Sequence, residues 1–429
     1  MNPVIPSVCQ GEEPLLDLEV YFRKTLLAAG NQVFVQLLQR RVDQIDAAYQ
    51  PRAEQIRMGR RPLRTATLFG QVQIQRDYYY DGKKGHCPAD AALGFEGSCT
   101  PALARLICRS AAQQAYGAAS RDLQEYGGVE VDERQIQRTV LRIGPDTQEW
   151  LHKQPASKQA VPVMYLGCDG TGAPMRREEL VGRKGKGPDG QAKTREVKLG
   201  AVFTQHVRDE KGRPIRDHAS TTYLASFQSV EQFAPQLRQE AIRRGVGQAE
   251  QVVFLSDGAA WTEELQRQNF PNAVSILDFY HAAERVHALA KATVGAQDRA
   301  AKQQASRWIK QLLRDQVDRV IGEAQAAMPE QGQNRQLARE QIDFLSGHKS
   351  RMRYGTYRRK GWFIGSGVVE AGCKTVIGKR LKQSGMFWTE TGASSVLNFR
   401  TLLLSSRFDG FWRDRQNDLA AKNDPLPLA

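Results

Sequence analysis

Twice in this chain an apolar run ends in a carboxylate. From Val161, the residues Val161, Val163 and Tyr165 mark a buried strand running into Asp169, and Gly170 and Gly172 predict a tight turn after it. From Gln251, a second apolar strand leads to Asp257, and Gly258 opens into helical sequence with Ala259, Trp261 and Leu265. Two strands that deliver an Asp to the same end of a sheet supply hard oxygen ligands. A pair of divalent ions about 3.5–4 Å apart would then clamp the entering and leaving oxygens of a phosphoryl transfer. Either Asp alone is also an ordinary turn former or helix cap. The pair is what points to chemistry.

Two further groups belong to the same reading. Asp278 predicts an N-cap for a helix running to about Ala290, with His281 in its first turn, beside the strand that bears Asp257. A core histidine is the plain alternative. Gly365 to Lys374 opens a helix in which Val369, Cys373, Ile377 and Leu381 recur every four residues and face the core, leaving Glu370 just off that stripe. An ion pair with Lys374 would explain Glu370 simply. A lone carboxylate in a stretch so rich in Lys and Arg is also placed for a metal beside a phosphate backbone.

The elements that must hold these residues can be read in outline. Three strands, a helix, a strand, a helix, a strand and a helix are expected from Val161 to about Ala290, with Val197 to Phe203 and Ile215 to Ala225 as the second and third strands. Between the first two strands lie Arg176, Arg177, Arg183, Lys184, Lys186, Lys193, Arg195 and Lys198, broken by Gly185, Gly187, Pro188 and Gly190. No Gly-Lys-Ser/Thr follows, so this is a basic loop and not a nucleotide-binding one. Gln303 to Leu345 is helical throughout. Upstream, Pro101 to Tyr116 predicts a helix. Ala119 to Gly127, a turn, and Val131 to Arg142 predict helix, turn, helix, with Asp132 as N-cap, Ile136, Val140 and Leu141 inward, and Arg134, Gln135, Gln137, Arg138 and Arg142 outward. That is the pattern of a helix-turn-helix whose second helix enters a major groove. Pro14 to Ala29 and Asn31 to Tyr49 predict two helices, the second with an apolar stripe that suits a core or a dimer seam. Thr67 to Tyr80 predicts a strand or hairpin.

Composition sets the class. The chain has 429 residues with 41% hydrophobic content, enough for two or three cores. Its 61 Lys and Arg against 47 Asp and Glu give a net charge of +14, which favours a polyanionic partner, most economically nucleic acid. No apolar run long enough for a membrane span and no signal sequence is read, so a cytoplasmic protein without a membrane partner is expected. Its six cysteines include no Cys-x-x-Cys. His86, Cys87 and Cys99 do not make a full metal set.

With these residues assembled, the chain resembles insertion-sequence DDE transposases of the ISKra group, which are similar in layout to Mutator-like transposases. The resemblance rests on Cys168-Asp-Gly-Thr-Gly172, Ser256-Asp-Gly-Ala-Ala-Trp261, Asp278-Phe-Tyr-His281, Gly365-Ser-Gly-Val-Val-Glu-Ala371 and the flanking blocks at 182–190 and 380–388. It implies an α/β ribonuclease-H-like catalytic domain (160–295 and 349–405) interrupted by an all-helical insertion (296–348). An N-terminal helical and hairpin region (1–100), a helix-turn-helix (101–145) and a C-terminal tail (406–429) complete the layout. Asp169, Asp257 and Glu370 would hold Mg²⁺ or Mn²⁺, with Asp278 and His281 bordering the site. Double-stranded DNA, as element ends and target, is the implied partner, and a homo-oligomer is expected when bound. Expected DNA contacts are Arg134, Gln135, Arg138, Arg142, Arg183, Lys184, Lys186, Lys374, Lys379, Arg380 and Lys382, with Trp388 stacking on a base. The alternatives are a ribonuclease-H-like nuclease or resolvase that cuts without joining, and a helix-turn-helix regulator without chemistry.

Overall fold

The computed structural model describes residues 14–95, 97–183, 185, 192–217, 219–294 and 298–422. They form two compact units, one of residues 14–148 with 407–422 and one of residues 149–406.

In the first unit, helix α1 (Leu15–Ala48) is continuous through Gly30, where two helices were expected. Gly30 is no break because it lies against the ring of Phe69, and the Asn31 side chain donates to the carbonyls of Phe69 and Gln71 at 2.9 and 3.1 Å. Strands β1 (Ile56–Thr67) and β2 (Gly70–Tyr80) pair antiparallel, and β3 (Gly85–His86) adds to β2. After the short α2 (Pro88–Ala92), helices α3 (Pro101–Ala111), α4 (Tyr116–Gly127) and α5 (Glu133–Ile143) pack on one another. Gly128 at φ 68° terminates α4, as a left-handed C-cap does. The Asp132 carboxylate accepts from the Gln135 amide at 2.7 Å, so the expected cap is present. Ile136, Thr139, Val140 and Ile143 form the buried side of α5, while Leu141 is half-buried. The last helix among the described residues (Phe408–Lys422) belongs to this unit; Asp409 accepts from Arg105 at 2.6 Å.

Helix α6 (Asp146–Lys153) leads to a mixed five-stranded sheet. Its strands are β4 (Val161–Pro174), β5 (Thr194–Gln205), β8 (Thr222–Ser226), β9 (Ala249–Ser256) and β10 (Val274–Leu277); β6 (Val207–Arg208) and β7 (Pro214–Ile215) form a separate small hairpin. The order across the sheet is β10-β9-β4-β5-β8. The first three strands in sequence are antiparallel neighbours, and β9 and β10 add parallel to β4. Both faces are covered, which is why the strands read as nearly unbroken apolar runs. Met164, Leu166, Val202 and Phe254 face α7 (Val230–Arg243) and α8 (Ala260–Asn269). On the opposite face, Val163, Tyr165, Phe203, Val253 and Leu255 meet α9 (Phe279–Val294) and a helical layer of α10 (Asp298–Leu312), α11 (Val317–Ala326) and α12 (Gln333–His348). The short α13 (Tyr354–Arg359) follows. One broken helix comes next: α14 (Gly367–Gly372), a π turn (Cys373–Gly378) and α15 (Lys379–Leu381). Helix α16 (Glu390–Leu404) closes the unit.

Two expectations change. Strand β4 does not turn at Gly170 and Gly172; it stays paired with β5 to Pro174, so Asp169 lies within a strand opposite Leu199. The glycines are there because Glu196 and Thr194 fill the space their side chains would need. The four-residue stripe from Val369 to Leu381 is also not that of a regular α-helix. The π turn buries Val376 and Ile377 and leaves Cys373 half-buried, and Arg400 donates to the Thr375 carbonyl within it at 2.9 Å.

The helical layer is pinned by Glu323. Burial opposes its ionisation, yet hydrogen bonds from Trp308, Gln311 and Arg319 at 2.9, 3.0 and 2.9 Å, with the charge of Arg307, hold its carboxyl down to about 2. A carboxyl lowered on folding stabilises above its unfolded value, and that contribution is lost as pH falls from there through the folded value. Glu323→Gln is therefore expected to lose about 1–2 kcal/mol at pH 7, after solvent screening, and much less at pH 3. Urea titrations of both proteins at the two pH values check this.

Candidate active site

Strand register alone aligns three carboxylates. In the parallel β4–β9 pair Gly167 lies opposite Leu255, so Asp169 and Asp257, two residues further on, fall side by side. Leu277 lies opposite Ser256, so Asp278 follows beside Asp257. Strand alternation puts Asp169 on the face of Val163, Tyr165 and Gly167, and Asp257 on the same face with Val253 and Leu255. The Asp257 carboxylate accepts from the Ala259 amide at 3.0 Å, and Gly258 adopts φ 90° to make that turn.

Helix α14 brings the fourth carboxylate. Val369 lies over Gly167, where an added Cβ would come within 2.6 Å of the Val369 methyl, and Gly372 lies over Leu199 and Tyr223. This contact seats Glu370 beside the strand ends. Asp169, Thr171, Glu370, Cys373, Lys374, Gly378 and Lys382 line one cleft of about 460 Å³. Ser366 ties the helix start to the sheet: its amide donates to the fully buried Asp278, and its hydroxyl to Glu370 at 3.4 Å. No ion pair joins Glu370 to Lys374 among the described residues. Asp278 caps α9 as expected, accepting from the His281 amide at 2.8 Å, and it also contacts His281 Nδ1 at 3.1 Å. Asp278, His281 and Glu370 present ligand atoms that all lie within 4.8 Å of one another.

One carboxylate of this cluster is held above its ordinary value. Burial raises the Asp169 carboxyl above its ordinary value and the charge of Asp257 adds to the rise, while the Gly170 amide, at 2.6 Å, the Cys373 thiol and His281 offset only part. Burial pulls His281 down, but its hydrogen bond to Asp278 and the charges of Asp278 and Asp257 outweigh that and hold it above the usual imidazole value. Burial and the neighbouring Asp169 push the Cys373 thiol up, so it stays protonated and donates to Asp169 at 3.5 Å. Carboxylates gathered this closely, with one imidazole and few fixed cations, fit a hard divalent cation.

The remaining expected site residues divide by position. Lys374 and Lys382 are exposed on the cleft, and Lys382 Nζ reaches the Thr171 hydroxyl at 2.6 Å. Arg183 and Lys379 are exposed, while Lys184 and Lys186 lie outside the described residues. Arg380 and Trp388, expected to contact DNA, are instead buried. The Arg380 guanidinium sits 4.8 Å from the Trp388 ring, and the indole N–H donates to the Leu381 carbonyl at 3.0 Å. This cation–aromatic contact holds both side chains inside the fold. In the first unit Arg134, Arg138 and Arg142 are exposed on α5, and Gln135 is half-buried, donating to the Ser98 hydroxyl at 3.1 Å.

A model described as "Uncharacterised protein family (UPF0236)" matches residues 14–417. The chain belongs to that family. A search of curated proteins finds no match. Among solved structures, the Drosophila P element transposase strand transfer complex matches this UPF0236 chain at 11% identity, over 73% of this chain and 80% of that one, with a TM-score of 0.26. No helix among the described residues is long and apolar enough to cross a membrane.

Sequence reasoning missed two supports. Cys373 stands three residues after Glu370 on the same helix, a spacing that was readable. Arg351, just after α12, was not: its buried guanidinium donates to the Ser256 hydroxyl and to Glu263, and His348 meets Glu263 at 2.9 Å, directly under the Asp257 turn. Arg351→Ala in this UPF0236 protein is expected to cost about 3 kcal/mol by leaving the pair broken. Arg351→Lys is expected to recover less than half of that, because a compact ammonium lacks the planar, pre-organised fork with which the guanidinium reaches Ser256 and Glu263 together. Denaturant titration measures both.

Proposed function

We propose that this chain is a DDE-type transposase with a ribonuclease-H-like catalytic unit, cutting DNA at element ends and joining the freed 3′ ends to target DNA. The observation that carries the reading is the row formed by Asp169, inside β4, with Asp257 and Asp278, just past the ends of the parallel strands β9 and β10, and Glu370 brought over it by a helix. The strand order supports the fold assignment: three antiparallel strands, then two added parallel to the first. Asp169, Asp257 and Glu370 would hold Mg²⁺ or Mn²⁺, which supplies Lewis-acid neutralisation of charge developing on the phosphoryl oxygens. The chain's own groups do the rest. His281, oriented through Nδ1 by Asp278, keeps Nε2 for taking a proton from the attacking hydroxyl or giving one to the leaving oxygen. Lys374 and Lys382 draw the phosphate backbone into the cleft. Helices α4 and α5 act as a helix-turn-helix, and Arg134 and Arg138 reach base edges.

Incubation with Mg²⁺ and a labelled duplex bearing candidate terminal repeats tests this. Cleavage followed by joining is expected. Cleavage alone would make the protein a nuclease or resolvase, and binding alone a regulator. In that assay Asp169→Ala, Asp257→Ala and Glu370→Ala are each expected to abolish cleavage with binding retained. His281→Ala is expected to slow cleavage at least tenfold, about 1.4 kcal/mol of barrier, with an unchanged melting temperature. Full activity in any of these variants removes that residue from the site. Arg138→Ala is expected to weaken binding to terminal-repeat duplex by about 1–3 kcal/mol more than to random duplex, measured by titration at fixed salt.

A further inference from the structure

Helix α1 has two apolar faces. Leu38, Val42 and Ile45 are buried with Val72 and Ile74 of β2. A second line runs along the other side: Leu15 (70% exposed), Leu18, Phe22 (62%), Leu26 (57%), Val33 (58%) and Leu37. Leu15, Leu26 and Leu37 stand eleven residues apart, as do Phe22 and Val33. Eleven residues over three turns is about 3.67 per turn, so the line stays on one side of a nearly straight helix, for about 33 Å. It lies roughly 150° around the helix from the buried face. The N-terminal half is fastened from its flank, where Arg23 donates to the carbonyls of Glu125 and Tyr126, and this leaves the line open. Single exposed apolar side chains are ordinary; a continuous row of six is an interaction surface.

We propose that this row is the seam of a symmetric, antiparallel pairing between two copies of the chain. Charge sets the partner and its direction. Glu19 borders the row at one end and Arg40 at the other, both exposed. Parallel pairing would set like against like. Antiparallel pairing that crosses between Ala29 and Gly30 sets Glu19 beside Arg40 of the second copy twice over, Phe22 against Leu37 and Leu26 against Val33, with the two smallest residues where the helices approach most closely. Twelve apolar side chains would bury roughly 1,000 Å² in all, at the size a specific interface needs.

Sedimentation of the full-length chain at micromolar concentration tests this. A species of twice 48.0 kDa is expected. Leu26→Lys with Val33→Lys is expected to give a monomer that melts like the parent, since neither side chain packs inside the fold. Glu19→Arg is expected to weaken association at least tenfold and Glu19→Arg with Arg40→Glu to restore it, a pair of surface changes that keeps the test valid if the lysine variant misfolds. On mild oxidation, Phe22→Cys protein mixed with Leu37→Cys protein is expected to cross-link, and Phe22→Cys alone is not. A parent that stays monomeric, association indifferent to these changes, or a Phe22→Cys chain that links to itself overturns the proposal.

Discussion

The close approach of α14 to β4 sets the distance on which the site depends, and Gly167 permits it. Any side chain there would strike Val369 and the Leu255 carbonyl, 2.9 Å from an added Cβ, and would lift the helix off the sheet. Lifting the helix moves Glu370 away from Asp169 and Ser366 away from Asp278, so one missing methyl couples the sheet register to the fourth carboxylate. Gly372 repeats the device three residues after Val369, against Leu199 and Tyr223. The helix is thus held by shape on strands that are themselves held by pairing.

Electrostatic strain is concentrated where that geometry is best fixed. Four carboxylates gather on one side of the sheet, and Lys374 and Lys382 lie on the rim of the cleft with their side chains exposed. Asp278 is the most deeply buried of the acids and the best satisfied, with two amides and an imidazole around it. It serves the architecture as much as the cluster, because it caps α9 and anchors the start of α14 together. Arg351 plays the matching part below Asp257, linking the last turn of the helical layer to the end of β9.

The legible parts of the fold were those written in periodicity. The alternation of strands and helices from Val161 to Ala290 could be read because each strand is an apolar run of limited length and each helix has a cap or a stripe, and four of the five candidate residues were found because they follow directly from those elements. Glycine misled where its role was clearance and not turning, at Gly170, Gly172 and Gly30. Arg380 and Trp388 misled because a cation and an indole stacked on one another in the interior look, as residue types, like a surface for nucleic acid. The Arg351 network had no local signal; its partners Ser256 and Glu263 lie about ninety residues earlier in the chain.

The path of the chain has a consequence for its synthesis. Residues 149–406 are spliced into a first unit whose final helix, with Phe408 and Asp409 set against Arg105, is made last. In the sheet, β4 waits for β9, and the carboxylate cluster waits for Glu370. A nascent chain emerging N-terminus first therefore completes the second unit only after Glu370, and the first only after Phe408 and Asp409, have left the ribosome. Until then it carries unpaired strand edges and half-covered apolar faces, so its yield in the cell is governed by how well that long interval is protected, and loss of the helix Phe408–Lys422 opens the unit that was begun first.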